Sequence, residues 1–259
     1  MIDPAAEFQR ALDFTHAMEE RSYTRKGPWR YGTAYFHDGF PVKWALNFLR
    51  AEGDISGVTA SELAEDAHRV QGGAGLNHRK INVDEQETGD RLEPQFKELE
   101  WLVQRLLFMA LREPPSERPD VPVTLLSNDE IRPFRLAAEM TEHRNSPEDA
   151  RRLTESMVVT AHATNMRNIV GSIDGEVAGW GEFYSDGRTA QIENIGTFER
   201  FRNRGVARAV VLKAIELATA EGHDFFFLIA DANDWPKELY KKLGFEEIGH
   251  TYEFMLRGD

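Results

Sequence analysis

The chain has 259 residues, of which 41% are hydrophobic and 10% aromatic, so it can bury a substantial core; its formal net charge is −13. That balance argues against nucleic acid and anionic membranes as partners, because both call for basic surface, and no apolar run approaches the ~20 residues of a membrane helix. Cysteine is absent, which excludes disulfides, thiolate metal sites and a cysteine nucleophile.

The opening MIDPAAEFQRALDF carries acids early and lacks a basic-then-apolar leader, so no signal peptide is expected, and the absence of cysteine fits a cytoplasmic protein. A helix is expected over 5–20. GTAYFHDGFPVKWALNFLRAE (32–52) reads as a hairpin turning at Asp38-Gly39. TASELAEDAHRV reads as a helix capped by Thr59 or Ser61, NHRKINV as a strand, RLEPQFKELE as helix and LVQRLLFMAL as strand. REPPSERPDVP (112–122) then places four prolines in eleven positions, which precludes regular helix and favours an extended linker.

Beyond the linker, VPVTLL reads as a strand, followed by helical patterns near 129–140 and from Pro147 to 161. NIVGSIDGEVAGWGEFYSDGRTAQIENIGT gives three strand-like runs separated by Asp174-Gly175 and Asp186-Gly187, both good hairpin turns. VARAVVLKAIELATAEG is apolar at helical spacing and stops at Gly222. DFFFLIA is continuously apolar, as a strand buried on both faces would be, and WPKELYKKLGF is a short helix between Pro236 and Gly244. EEIGHTYEFML closes as a strand. The expected fold is α+β or α/β, with a mixed, mostly antiparallel sheet flanked by helices. FKELEW (96–101) also echoes YKKLGF (240–245), each ahead of a strand containing Phe-Met, which suggests an internal duplication.

FERFRNRGVARAVV (198–211) gathers Arg200, Arg202, Arg204 and Arg208 around Gly205. A strand leading through a glycine-broken turn into a helix makes an anion site. The first helical N–H groups lack intrahelical partners, and the helix dipole adds positive charge there. Gly205, without a Cβ, lets a phosphate approach the main chain; Ala207 is small for the same reason; the arginines clamp outer oxygens. Neither GxxxxGK[ST] nor a GxGxxG after the first strand is present, so neither a P-loop nor a dinucleotide fold is indicated.

Arg202-x-x-Gly205-x-Ala207 after QIENIGT, followed by Asn233, Tyr240, Gly244 and Phe245 in N-x6-Y-x3-G-F spacing, resembles the GNAT superfamily of acyl-CoA-dependent N-acetyltransferases. The resemblance spans roughly 122–256. It implies a catalytic GNAT domain at 122–259, a linker at 113–121 and a degenerate GNAT-like copy at 1–112. Arg69-Val-Gln-Gly72-Gly-Ala74 matches the loop pattern too, but it follows a helix and precedes a strand, so it is expected to be an ordinary loop.

By the same resemblance, backbone groups of Ile195, Gly196 and Thr197 pair with the pantetheine arm of acetyl-CoA, between splayed strands QIENIGT and DFFFLIA. Residues Arg202, Asn203, Arg204, Gly205, Val206, Ala207 and Arg208 hold the diphosphate. Tyr240 is the candidate acid. The base is Glu193 or Glu182, and alternation would put Glu193 on the face of Gln191 and Ile195. Asn233 either bonds the cofactor arm or caps the next helix. Trp180, Trp235, Phe183 and Tyr184 either line an acceptor pocket or pack. The eight histidines show no metal-ligand spacing, so no metal is expected. Acetyl transfer to a primary amine by direct attack in a ternary complex is the expected activity. A non-catalytic acyl-CoA sensor and a nucleotide-binding regulator are the alternatives.

Overall fold

The computed structural model describes residues 3–116 and 121–258; positions 117–120 of the proline-rich linker lie outside the described residues. Two compact units are distinguishable. One takes Met1–Arg21, Met109–Ile229 and Trp235–Ile248; the other takes Ser22–Phe108, Ala230–Asp234 and Gly249–Asp259. The fold is mixed α/β, with a mostly antiparallel sheet flanked by helices.

In the second unit, β1 (Arg25–Trp29), β2 (Gly32–Phe36), β3 (Phe48–Ala51), β4 (His78–Val83) and the later part of β11 (Phe245–Arg257) are neighbours in that order. Pairing is antiparallel except between β3 and β4. The expected hairpin over 32–52 forms, β2 against β3, but its connection runs from 37 to 47 and holds a 3-10 turn over Trp44–Leu46, so it does not turn tightly at Asp38-Gly39. A hairpin not read from the sequence joins β1 to β2. Helix α2 (Ala60–Gly73) starts at Thr59 in a capping box with Glu62, and α3 (Gln86–Glu98) follows β4. One face of the sheet packs Leu49, Ile81, Tyr252 and Phe254 against Leu63, Leu92 and Phe96 of these helices. The Arg69–Ala74 motif falls in the last turn of α2 and its C-cap, so it offers a helix C-terminus, not a loop ahead of a helix.

The first unit contains β6 (Val123–Leu126), β7 (Arg167–Ile173), β8 (Glu176–Ser185), β9 (Thr189–Thr197) and β10 (Phe225–Asp231), in spatial order β10-β9-β8-β7-β6. Only the β9–β10 ladder is parallel. Asp174 and Gly175 both take positive φ, 53° and 82°, as a primed hairpin turn requires. One face of the sheet carries α4 (Asn128–Thr141), α5 (Pro147–Glu155) and α6 (Met157–Thr164); the helix expected to run on from Pro147 is broken at Ser156. Ile131, Arg135 and Ala138 form the buried stripe of α4.

The other face carries α7 (Val206–Ala220). Strands β7 and β8 offer it glycines, so the helix sits close. A Cβ on Gly179 would lie 2.7 Å from Val206 Cγ1, and one on Gly181 would lie 2.6 Å from Val210 Cγ1. Helix α1 (Pro4–Glu19) belongs to this unit, with Phe14 edge-on to Phe227 of β10 at 5.7 Å. Helix α8 (Pro236–Lys242) and the start of β11 complete it.

Candidate active site

The site begins where β9 leaves its ladder. Pairing with β10 runs from Thr189–Phe225 to Ile192–Leu228, while β9 continues to Thr197. Residues 193–197 therefore extend past the last paired rung. On the other side, pairing with β8 shifts register between Trp180 and Glu182, and Asn194 sits there at φ 53°. This is a β-bulge, and it corrects the simple alternation expected from sequence. Gln191 and Glu193 do share a face, with Gln191 Nε2 donating to Glu193 Oε2 at 2.8 Å. Ile195, however, joins Ile192 beside Gly181 and Val210 on the α7 face, because the bulge inserts one extra residue between them.

After β9 the chain makes a 3-10 turn, Glu199–Phe201, and Phe201 tucks into a cluster with Ala178 and Val206. Arg202 is extended, Asn203 has φ 60°, and Gly205 is the left-handed N-cap of α7, at φ 79°. No side chain caps this helix N-terminus. The first turn of α7 thus faces outward behind a residue lacking a Cβ, and Gly205 itself is exposed. The loop arginines all meet carboxylates: Arg200 with Glu176 at 2.8 Å, Arg202 with Glu142 at 3.1 Å, Arg204 with Asp174 at 3.4 Å. Arg208 is half-buried on the first turn. Beside the loop, a groove of about 760 Å³ is lined by Phe134, Thr141, Glu142, Glu176, Phe198 and Arg200.

On the α4 face, the two candidate bases stand opposite each other, since Glu182 and Glu193 are paired in register. Their surroundings differ. Glu182 is buried with Arg135, its Oε1 2.7 Å from Arg135 Nη1, and the side chains are 3% and 7% exposed. It also accepts from Asn194 Nδ2 at 2.8 Å and from the Tyr184 hydroxyl. Arg135 in turn lies over the Trp180 ring at 5.1 Å. Glu193 is half-buried. Burial, reinforced by the charges of Glu182 and Glu193, pushes the Tyr184 phenol well above its ordinary pKa, so it stays a donor.

The model of the Acetyltransferase (GNAT) family matches residues 131–245. Residues 131–245 are a GNAT acetyltransferase domain. Its fold recurs in solved structures of low identity. A conserved Staphylococcus epidermidis protein of unknown function superposes with a TM-score of 0.67 at 16% identity, covering 90% of this chain and 93% of its own. A GCN5-related N-acetyltransferase from Kribbella flavida gives 0.64 at 15%, covering 100% and 98%. One from Sphaerobacter thermophilus gives 0.54 at 15%, covering 78% and 68%. Among curated proteins, none matches the sequence.

Within this GNAT domain, Tyr240 is buried on α8, with its ring edge-on to Phe245 at 6.4 Å; Phe245 reaches Phe226 of β10 at 5.8 Å. Trp180, Phe183 and Tyr184 are buried, and Trp235 is exposed. Asn233 falls in the other unit, exposed in the turn after β10, where its N–H donates to Asp231 Oδ1 at 2.8 Å. It does not cap α8, whose N-cap is Trp235. The sequence reading missed Arg135 and Asn194. The signal for Arg135 was a charged residue on the apolar stripe of a helix. None of the described His, Asp and Glu side chains cluster in a way that could hold a metal ion, and no described helix is long and apolar enough to cross a membrane.

Proposed function

We propose that this domain transfers an acetyl group from acetyl-CoA to a primary amine within a ternary complex. One observation carries the reading: the uncapped N-terminus of α7 behind left-handed Gly205 follows directly from a strand that runs past the end of its ladder. A diphosphate fits the first because outward N–H groups and the helix dipole favour an anion. An extended pantetheine arm fits the second because strand backbone past the last rung can take an added strand. In this reading, Ile195, Gly196 and Thr197 supply the backbone pairing. Residues 202–208 supply the anion cradle, with the loop arginines exchanging carboxylate partners for phosphate oxygens.

The amine nitrogen attacks the thioester carbonyl, and the carbon–sulfur bond breaks. The ammonium proton passes to Glu193, directly or through water, and the leaving thiolate takes a proton from Tyr240. Glu182, already ion-paired with Arg135, is the less suited base; a group that accepts a proton must first lose its other donors. Positioning two bound substrates supplies most of the rate. The net charge of −13 favours a cationic acceptor. We also propose that 1–112 is a degenerate copy, since Phe96 stands where the later copy has Tyr240.

Calorimetric titration with acetyl-CoA, followed by thiol release against a panel of primary amines, tests the reading. Saturable binding with amine-dependent release is expected. Binding without release from any amine would favour the sensor alternative, and CoA failing to bind would end both.

A further inference from the structure

We propose that Arg135 and Glu182 are positioning residues that, through the Asn194 side chain, hold the β9 bulge in the form that presents 195–197 to an acyl-CoA arm. The inference rests on the acetyl-CoA reading above and concerns how the same site is kept in shape.

Asn194 is exposed, yet its amide reaches back to the buried Glu182 Oε1 at 2.8 Å. Its backbone is left-handed, at φ 53°. Asparagine tolerates that region better than most residues, but every residue with a Cβ is disfavoured there. The side-chain bond selects the strained conformer at the one position where the register with β8 shifts. Register is otherwise a two-state matter. Without the extra residue, Ile195 would turn to the face of Glu193 and leave Ile192 and Val210, and the backbone groups of 195–197 would exchange sides.

The anchor itself is over-determined. Glu182 receives Arg135 and Asn194 on Oε1 and Tyr184 on Oε2. Arg135 is held from above by the Trp180 ring. A buried ion pair is weak evidence for stability, because apolar groups of equal volume serve as well; its best-attested use is to fix register. Here it lies directly across from the shift it would fix.

The test uses the full chain and acetyl-CoA as the probe, with thermal midpoints recorded alongside. Asn194→Ala removes the anchor and leaves the left-handed backbone unsupported. Asn194→Gly removes the anchor but accepts positive φ. We expect Asn194→Ala to weaken acetyl-CoA binding about tenfold, equivalent to about 1.4 kcal/mol, and Asn194→Gly to stay within about threefold of wild type. The double variant Arg135→Met with Glu182→Met should bind like Asn194→Ala, and adding Asn194→Gly should restore it. A merely structural role would not produce that rescue, since glycine loosens the chain further. Wild-type affinity in Asn194→Ala, or equal losses in the alanine and glycine variants, would overturn the inference while leaving acetyl-CoA binding intact. Failure of the wild type to bind acetyl-CoA would remove the reading beneath it as well.

Discussion

Replacing Glu182 with Gln removes one charge and almost no volume. Three donors converge on this carboxylate: Arg135 Nη1 at 2.7 Å, Asn194 Nδ2 at 2.8 Å, and the Tyr184 hydroxyl. A carboxamide offers one acceptor oxygen and turns two hydrogens toward the remaining donors. Arg135, with its side chain only 7% exposed, has little access to water that could replace the lost charge. Leaving one partner of such a pair uncompensated costs about 3–5 kcal/mol; the stacking over Trp180 is present before and after the change and cancels, while the one acceptor oxygen that remains puts this variant at the low end of the range. We expect a net loss near 3 kcal/mol, a drop of about 6–12 °C in midpoint for a chain of this size. Removing both charges, with Met at 135 and 182, should cost much less, so the coupling in a double-mutant cycle is large and favourable. Arg135→Met alone strands a buried carboxylate without its counter-charge and should cost a comparable amount. Urea and thermal unfolding of the cycle check these signs. A Glu182→Gln protein as stable as wild type would refute the reasoning, because it would mean that water reaches the guanidinium.

Three further outcomes are expected. Gly205→Ala should lower stability by only about 1–2 kcal/mol, the penalty of left-handed backbone, since the nearest atom to a Cβ there is Val121 Cγ2 at 3.8 Å; acetyl-CoA affinity should fall more than about tenfold, and unchanged affinity would place the diphosphate elsewhere. His78, buried, stacked on Trp44 at 4.9 Å and bonded to the Asn47 carbonyl, has its pKa lowered to about 4 by burial. Its folded pKa is depressed, so its neutral form supports the fold above about pH 6.5, and roughly 3 kcal/mol is lost as pH falls toward 4; His78→Gln should flatten that slope in urea titrations at stepped pH. Tyr240→Phe should cut thiol release about 100-fold or more while acetyl-CoA binding persists, and undiminished release would free Tyr240 of the acid role.

Local rules made much of this molecule legible. Thr59, one of the two caps read for it, starts α2, and Gly222 stops α7 in left-handed backbone at φ 76°. The loop around Gly205 was readable because its chemistry is contiguous: strand, glycine turn and helix follow one another. The hidden parts are those where distant segments decide. Nothing in QIENIG announces an extra residue at Asn194; the bulge depends on a carboxylate from β8 and an arginine from α4. Alternation therefore assigned Ile195 to the wrong face. Likewise, Asp38-Gly39 carries a hairpin signature, yet the chain needs further length there because Asn47 ties back to His37, Phe40 and Lys43.

The assignment of β11 has a practical consequence. Residues 249–258 belong to the unit otherwise built mainly from 22–108, where Tyr252 pairs with Val83 and Arg257 with His78. During synthesis, β4 must therefore wait for its antiparallel neighbour until residues 249–258 emerge from the ribosome. Deleting residues 249–258 should cripple the early-made unit, and cleavage in the proline-rich stretch should not yield two self-sufficient fragments.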